Sequence, residues 1–169
     1  MKNGIFVSVV VCTVVLFPAL ICTACPLDGA PIIGPAGGAV FYDKGNYAGD
    51  WRYLECAPDD AGTLSGTSGH IDFTQAVAMT ANYSCSGFSD WRLPSDTEFE
   101  VMWKNLHHTF GAYMGLSINE KNYYLTSDGN AYYGIEKTYE GSSYTVLTKQ
   151  ENPSYKAGCS YKVRPIREF

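Results

Sequence analysis

The chain has 169 residues, of which 46% are hydrophobic and 17% are charged, and its formal net charge is −5. This length and composition are ordinary for one globular domain with short extra segments. The negative charge argues against nucleic acid as a partner, because an acidic surface gains nothing from the release of phosphate counterions.

The first 24 residues have the composition of a secretory signal. Lys2 gives a basic start, and an almost wholly apolar run follows from Ile5 to Ile21. Such a run before small residues is typical of a cleaved signal, and it is short for a membrane span of about 20 residues. We expect residues 1–24 to be removed, which leaves a net charge of −6 because Lys2 is lost. A retained signal anchor is the alternative.

The residues around Cys25 resemble the lipobox that directs lipid attachment in bacterial lipoproteins. Cys25 follows the small residues Thr23 and Ala24, although Cys22 stands where the pattern has leucine. We expect a lipid on Cys25, which would tether the protein to a membrane surface without a span. Ordinary cleavage near Ala24 is the alternative, and it predicts a periplasmic or secreted protein without a lipid.

The rest of the chain divides into a linker and one domain. Residues 25–35 are rich in glycine and proline, which is typical of a linker, and residues 36–169 form the domain. Alternation of apolar and polar residues predicts strands, and apolar spacings of three and four predict helices. The expected elements are strands at 39–42 and 51–57, helices at 73–83 and 96–107, and strands at 123–126, 131–133, 144–148 and 162–169. This order indicates an α+β domain.

Local signals mark the ends of several elements. Asp72 can cap the first helix, and Ser95 with Glu98 forms the capping box of the second. The turn that contains Asp128 and a glycine predicts a β-hairpin between two tyrosine-rich runs. Pro165 inside the last strand predicts an edge position or a bulge, because proline has no N–H to donate.

The residue patterns predict no catalytic residue, metal site or cofactor. His107 and His108 are adjacent and would diverge by about 100° on a helix, and His70 lies in a loop, so structural roles are expected. Asp59-Asp60 could bind calcium, but no calcium-loop pattern surrounds it. The mature chain has no C-x-x-C pair for zinc.

Tyrosine pairs offer a candidate contact surface. The chain has 13 tyrosines, whose rings combine an apolar body with a polar tip. Tyr123-Tyr124 and Tyr132-Tyr133 are the best candidates for contact with a ligand. Neighbouring residues in a strand face opposite sides, so at most one tyrosine of each pair would be available. The string from Asp90 to Ser95 is interpreted instead as an architectural corner.

Four strings, in this order, resemble a known family. They are IGPAGGAVFY at 33–42, WRYLE at 51–55, SDWRLPS at 89–95 and VRPIREF at 163–169. They are similar to the Lcl C-terminal domain, the terminal domain of a bacterial collagen-like adhesin, and the likeness covers about residues 32–169. The resemblance implies a C-type-lectin-like fold. In that fold two helices pack on a small, mostly antiparallel sheet, and the N- and C-terminal strands are paired.

The same resemblance implies a disulfide between Cys85 and Cys159, with Cys56 left free or paired with Cys25. Closing a loop of about 75 residues would stabilise the fold by roughly 4–5 kcal/mol in the chain-entropy model. The Glu-Pro-Asn and Trp-Asn-Asp strings of calcium-dependent lectins do not occur, and neither does a collagen repeat. Calcium-dependent sugar binding and glycosaminoglycan binding are therefore not carried over.

The expected function is an adhesin-like binding module at the bacterial cell envelope or surface. Its membrane contact would be the lipid alone, and its partner an extracellular ligand or an envelope protein. One alternative is an enzyme of the formylglycine-generating fold group, which uses a cysteine pair and for which only Cys56 would remain. The other is a structural envelope component.

Overall fold

A computed structural model describes residues 32–66, 68–110, 116 and 118–169. The expected signal at 1–24, Cys25 and most of the linker lie outside the described residues. Among the residues that are described, no helix is both long enough and apolar enough to cross a membrane.

The described chain forms two helices and eight strands, so the domain is α+β as expected. The two helices are α1 (Phe73–Ala81) and α2 (Asp96–Phe110). The strands are β1 (Ala39–Asp43), β2 (Tyr53–Cys56), β3 (Gly62–Leu64), β4 (Asn122–Leu125), β5 (Asn130–Tyr139), β6 (Ser142–Glu151), β7 (Ser160–Val163) and β8 (Ile166–Glu168).

The strands form two sheets where one small sheet was expected. The three-stranded sheet has the order β1-β2-β8, and the five-stranded sheet has the order β3-β7-β4-β5-β6. All neighbours are antiparallel except β4 and β7, which run parallel. The first and last strands share a sheet, but β2 lies between them, which corrects the expected direct pairing of the terminal strands.

Pro165 divides the predicted last strand into two. β7 ends at Val163 in the five-stranded sheet, and β8 begins at Ile166 in the three-stranded sheet. A proline cannot donate to a strand ladder, so the chain leaves one sheet and enters the other at this point. The predicted single strand with Pro165 inside it is therefore wrong, because Pro165 lies between two strands; β8 is an edge strand, and its Ile166 exchanges two backbone hydrogen bonds of 2.9 Å with Arg92.

Both helices begin where their capping residues predict. The Asp72 carboxylate accepts hydrogen bonds from the backbone N–H groups of Thr74 and Gln75 at 2.9 and 3.4 Å. The backbone N–H of Ser95 donates to Glu98 Oε2 at 2.8 Å, and the N–H of Glu98 donates back to Ser95 Oγ at 3.3 Å. Each of these bonds satisfies a backbone donor that a helix N-terminus leaves without a partner.

The five-stranded sheet is covered on both faces. On one face, Phe99 of α2 lies between Tyr124 and Tyr132, with ring centroids 5.8 and 5.0 Å away. On the other face, Tyr123 and Tyr161 stack at 5.0 Å in a cluster that includes Ala76 of α1. Tyr123 and Tyr124 therefore enter different cores, because successive strand residues point to opposite faces.

Two arginines at the end of the chain tie it to the segment after β2. Arg164 is 2% exposed, and its guanidinium donates to the carbonyls of Ala57 and Pro58 and to Asp60 at 2.7–2.9 Å. Burial would lower the pKa of Arg164, but its interactions with Asp60, Tyr124 and Cys56 together outweigh burial and raise it. Arg167 donates in the same way to the fully buried Glu55 at 2.9 Å.

Candidate ligand-binding cleft

A cleft of about 360 Å³ lies between the turn end of the β1–β2 pair and the first turns of α2. This volume is within the range of small-molecule sites. The cleft has an aromatic and aliphatic wall and a short polar edge. The residues that line it are Tyr42, Trp51, Leu54, Thr97, Glu98 and Val101.

Two aromatic rings form the outer wall of the cleft. The rings of Tyr42 and Trp51 lie 6.4 Å apart at an interplanar angle of 47°, and Tyr42 is 39% exposed. Tyr42 pairs across the strands with the buried Leu54, so the wall of the cleft adjoins the apolar core. Lys44 Nζ lies 3.6 Å from the Trp51 ring centroid and donates to the Ala48 carbonyl. The contact with Lys44 holds the indole by a cation–π attraction.

The turn that carries these rings is fixed by its own polar side chains. Asp43 accepts two hydrogen bonds from Arg52, at 2.7 and 2.9 Å, and one from the N–H of Gly45 at 2.7 Å. The bond from Arg52 is the main reason that the pKa of Asp43 is lowered. Gly49 and Asp50 follow with φ of 76° and 65°, a left-handed conformation that reverses the chain before Trp51.

Glu98 forms the polar edge and is held from three sides. Its oxygens accept from Arg92 at 2.7 and 2.8 Å and from the N–H and Oγ of Ser95 at 2.8 and 2.9 Å. Burial would raise the pKa of Glu98, but the bonds from Arg92 and Ser95 outweigh burial and lower it. Arg92 also binds Glu168 at 2.7 Å. Glu98 therefore stays ionised and neutralised near pH 7, which suits a fixed acceptor rather than a proton donor.

The cleft thus offers apolar contact and hydrogen bonding without a free charge. Its two carboxylates are held by arginines, and the other polar groups on its lining are the hydroxyls of Thr97 and Tyr42 and the indole N–H of Trp51. Over the described ranges, no three His, Cys, Asp or Glu side chains converge as metal ligands would. This arrangement can hold a neutral group with a flat apolar face.

No family model, curated protein or solved structure matches this chain.

The three described cysteines, Cys56, Cys85 and Cys159, are free thiols in this structure. Cys85 lies against the Ala36 carbonyl at 3.3 Å, in a cluster with Ala57, whose N–H binds the Pro165 carbonyl. Cys159 precedes β7, whereas Pro165 follows it, and the intervening extended chain spans about 20 Å. A disulfide needs Cα atoms within about 7 Å, so the expected bridge does not form in this structure.

Cys56 is the cysteine on which the enzyme alternative depends. It is fully buried in the core beside α2, and this burial raises the pKa of its thiol to about 11. The reactive form of cysteine is the thiolate. Near neutral pH, Cys56 therefore lacks both the ionisation and the access to substrate that a nucleophile needs.

The histidine and aspartate candidates have the following positions. His70 is exposed and forms an isolated bridge with Ser154. His107 and His108 lie within α2, and their side chains are outside the described residues. Asp60 is bound by Arg164 at 2.7 Å and by Lys162 at 3.5 Å, which explains it without calcium.

The tyrosine surface expected from the sequence is wrong. Tyr123, Tyr124 and Tyr132 are at most 2% exposed, and Tyr133 is partly buried against Tyr123 at 4.8 Å. They are buried because both faces of the five-stranded sheet are covered. The rings that line the cleft instead come from Tyr42 and Trp51, which the sequence placed only as strand residues.

Proposed function

We propose that this chain is an adhesin-like binding module displayed outside the cytoplasm, and that its ligand occupies the cleft beside Trp51. The observation that carries the proposal is the pair of rings, Tyr42 and Trp51, above an apolar floor formed by Leu54 and Val101. Partly exposed aromatic rings above an apolar floor are typical of the walls of ligand-binding clefts.

The ligand that fits this site has a flat apolar face and polar groups at its edge. Ring faces bind flat or cationic groups well, but Lys44 already lies over the Trp51 ring. The two arginines beside the cleft are held by carboxylates, Lys44 contacts the Trp51 ring and the Ala48 carbonyl, and the mature chain carries a net charge of −6. The negative net charge disfavours an anionic ligand, so a neutral sugar ring or a neutral planar side chain is favoured.

The sequence places the proposed anchor close to the described domain. Cys25 precedes Ile32 by seven residues, so a lipid on Cys25 would lie within about 25 Å of the described chain. Ile33 pairs with Ala39 at the start of β1. β1 then extends five residues, or about 16 Å, to the end that carries the cleft. Because the Ile33–Ala39 pairing is antiparallel and Ile32 accepts a hydrogen bond of 2.8 Å from the N–H of Val40, the described chain before β1 runs alongside it, and the length of the tether allows an anchor near either end of β1.

We also propose that the domain belongs to the C-type-lectin-like group, through the Lcl C-terminal domain. The four ordered strings support this assignment, and so do the two helices and the shared sheet of the first and last strands. The assignment also has to account for two features of the five-stranded sheet, which are the strand β3 and the parallel pairing of β4 with β7.

Arrays of glycans and of matrix proteins test the proposed function. The chain should give a reproducible hit that Trp51→Ala abolishes. Tyr47→Ala is the matched control, because Tyr47 is 57% exposed on the same turn but does not line the cleft. Far-ultraviolet circular dichroism checks that both variants fold. An array without any hit, or equal loss of binding in both variants, contradicts the proposal.

The anchor is tested separately in bacterial cells. Cys25→Ser should move the mature protein from the membrane fraction to the soluble fraction, because the thiol that accepts the lipid is gone. Mass spectrometry of the wild-type N-terminus should show a diacylated cysteine. An unmodified N-terminus would remove the anchor from the proposal and leave a secreted or periplasmic module.

A further inference from the structure

β6 is the edge strand of the five-stranded sheet and has an unpaired side. It pairs along its whole length with β5, from Tyr139–Ser142 at the turn to Asn130–Glu151 at the base. None of the described residues pairs with its other side. The connecting turn consists of Glu140 and Gly141, with φ of 48° and 81°. This is the two-residue turn that suits a tight hairpin.

The turn determines which backbone groups of β6 point outward. A two-residue hairpin closes on a hydrogen-bonded pair, and the hydrogen-bonded and non-bonded pairs then alternate. With Tyr139–Ser142 as the closing pair, the N–H and C=O groups of the next residue, Ser143, face away from β5. The same holds for every second residue after it, namely Thr145, Leu147 and Lys149.

This edge lacks the usual protection against pairing with another strand. Natural edge strands are commonly guarded by charges, prolines, bulges or covering elements. The seven residues Ser142–Thr148 contain no charge, proline or glycine, and they pair with β5 without a bulge. Tyr144 is 49% exposed and Tyr139 is 67% exposed. The outer half of the hairpin also extends past β4, which pairs only with Ala131 and Tyr132. A lone two-stranded ribbon is marginally stable.

We propose that β6 pairs antiparallel with β6 of a second copy of this chain, about a twofold axis at Thr145. This surface is separate from the cleft, and the proposal does not depend on the proposed function. The register is chosen by the side chains that it brings together. Tyr144 comes opposite Val146 of the partner subunit, an aromatic and β-branched cross-strand pair of the kind that stabilises sheets. The twofold axis repeats this pair, because such interfaces are isologous.

The rest of the register is also compatible with a second copy. Ser142 comes opposite Thr148 of the partner subunit, so hydroxyl groups meet each other. Lys149 comes beside Glu140 of the partner subunit, which places opposite charges together at both ends of the paired segment. A self-complementary strand favours a second copy over an unrelated peptide. One strand pair buries little area for a protein interface, so the dimer should depend on concentration.

Cysteine cross-linking tests the register in the full chain. In antiparallel pairing, the hydrogen-bonded Thr145 pair has Cα atoms about 5.5 Å apart, which is within disulfide range. Thr145→Cys should form at least roughly tenfold more disulfide-linked dimer than Thr138→Cys under mild oxidation, because pairing raises the local concentration of the thiol. Thr138 lies on the inner strand of the same ribbon, and both variants keep the native cysteines. Equal cross-linking in the two variants overturns the proposal.

Light scattering over a concentration series provides an independent test. The wild-type chain should shift from monomer to dimer as its concentration rises. Thr145→Pro should stay monomeric with unchanged circular dichroism, because the N–H that it removes is not used in pairing with β5. A wild-type chain that is monomeric at every concentration overturns the proposal.

Discussion

Gly38→Ala tests the closest backbone approach between β1 and β2. A Cβ atom built on the buried Gly38 would lie 2.0 Å from the carbonyl oxygen of Cys56 and 3.0 Å from its carbonyl carbon. Real Cβ contacts with oxygen are longer by more than 1 Å, and the obstacle is backbone in the middle of a sheet rather than a mobile side chain. The strand entering β1 would have to move away from β2.

Overpacking of a core costs about 1–3 kcal/mol and occasionally more. We expect Gly38→Ala to lie at the upper end, about 3 kcal/mol, because neither strand can yield without losing pairs with Cys56 or Glu55. For a domain of this size, such a loss lowers the melting temperature by roughly 10 °C. Urea unfolding followed by tryptophan fluorescence would measure it.

Gly45→Ala is the matched control for this measurement. Gly45 has a φ of 80°, and nothing lies within 4 Å of its added Cβ. Its substitution should therefore cost only the backbone strain, about 1 kcal/mol. If Gly38→Ala destabilises the protein no more than Gly45→Ala does, the 2.0 Å contact expected between the added Cβ and the Cys56 carbonyl oxygen does not occur, and the reasoning is refuted.

Three further outcomes follow from the buried charges and thiols. Arg164→Ala should destabilise the domain by about 3 kcal/mol in urea unfolding, because it leaves Asp60 with Lys162 alone and removes the donor to the carbonyls of Ala57 and Pro58; a loss below about 1 kcal/mol would contradict the role of Arg164. A disulfide-exchange reagent at pH 8 should modify Cys85 and Cys159 in the folded protein. It should modify Cys56 only after unfolding, since the Cys56 thiol is buried and its pKa is raised to about 11. If Cys85 and Cys159 react only after treatment with a reductant, they are joined by a disulfide instead. The pKa of Glu98 is lowered from its usual 4.5 in the folded protein. The hydrogen bonds of Glu98 with Arg92 and Ser95 therefore stabilise the fold above pH 4.5, and this stabilisation is lost as the pH falls through the lower folded-state pKa. The urea midpoint of Glu98→Gln should accordingly fall less between pH 5 and pH 3 than that of the wild type, and parallel curves would refute this.

The helices and most strands could be predicted because their signals are local. Asp72 and the Ser95–Glu98 capping box act within one turn of chain, and the Asp128 turn joins two neighbouring strands. These interactions do not depend on the rest of the fold. The sequence predictions for α1 and α2 therefore differ from the structure only at the C-terminal ends, which are Ala81 and Phe110.

The features that sequence reasoning missed depend on distant pairing. β3 is three residues long and exists because Gly62–Leu64 pairs with β7, about 100 residues later in the chain. The tyrosines of β4 and β5 appeared available because alternation predicts one exposed face, whereas this sheet has a core on each side. The cleft was missed for the same reason, since Tyr42 and Trp51 meet Val101 only when α2 packs beside β1.

The missing disulfide changes what holds the end of the chain. In the absence of a bridge from Cys85 to Cys159, the C-terminal segment is fixed by guanidinium groups. Arg164 and Arg167 reach the segment 55–60 with bonds of 2.7–2.9 Å, and Arg167 also binds Asp90 at 2.8 Å. Arg92 makes the equivalent link from Glu168 to the cleft residue Glu98. Charge-assisted bonds of this kind are directional, so the last strand positions the polar edge of the cleft as well as closing the fold.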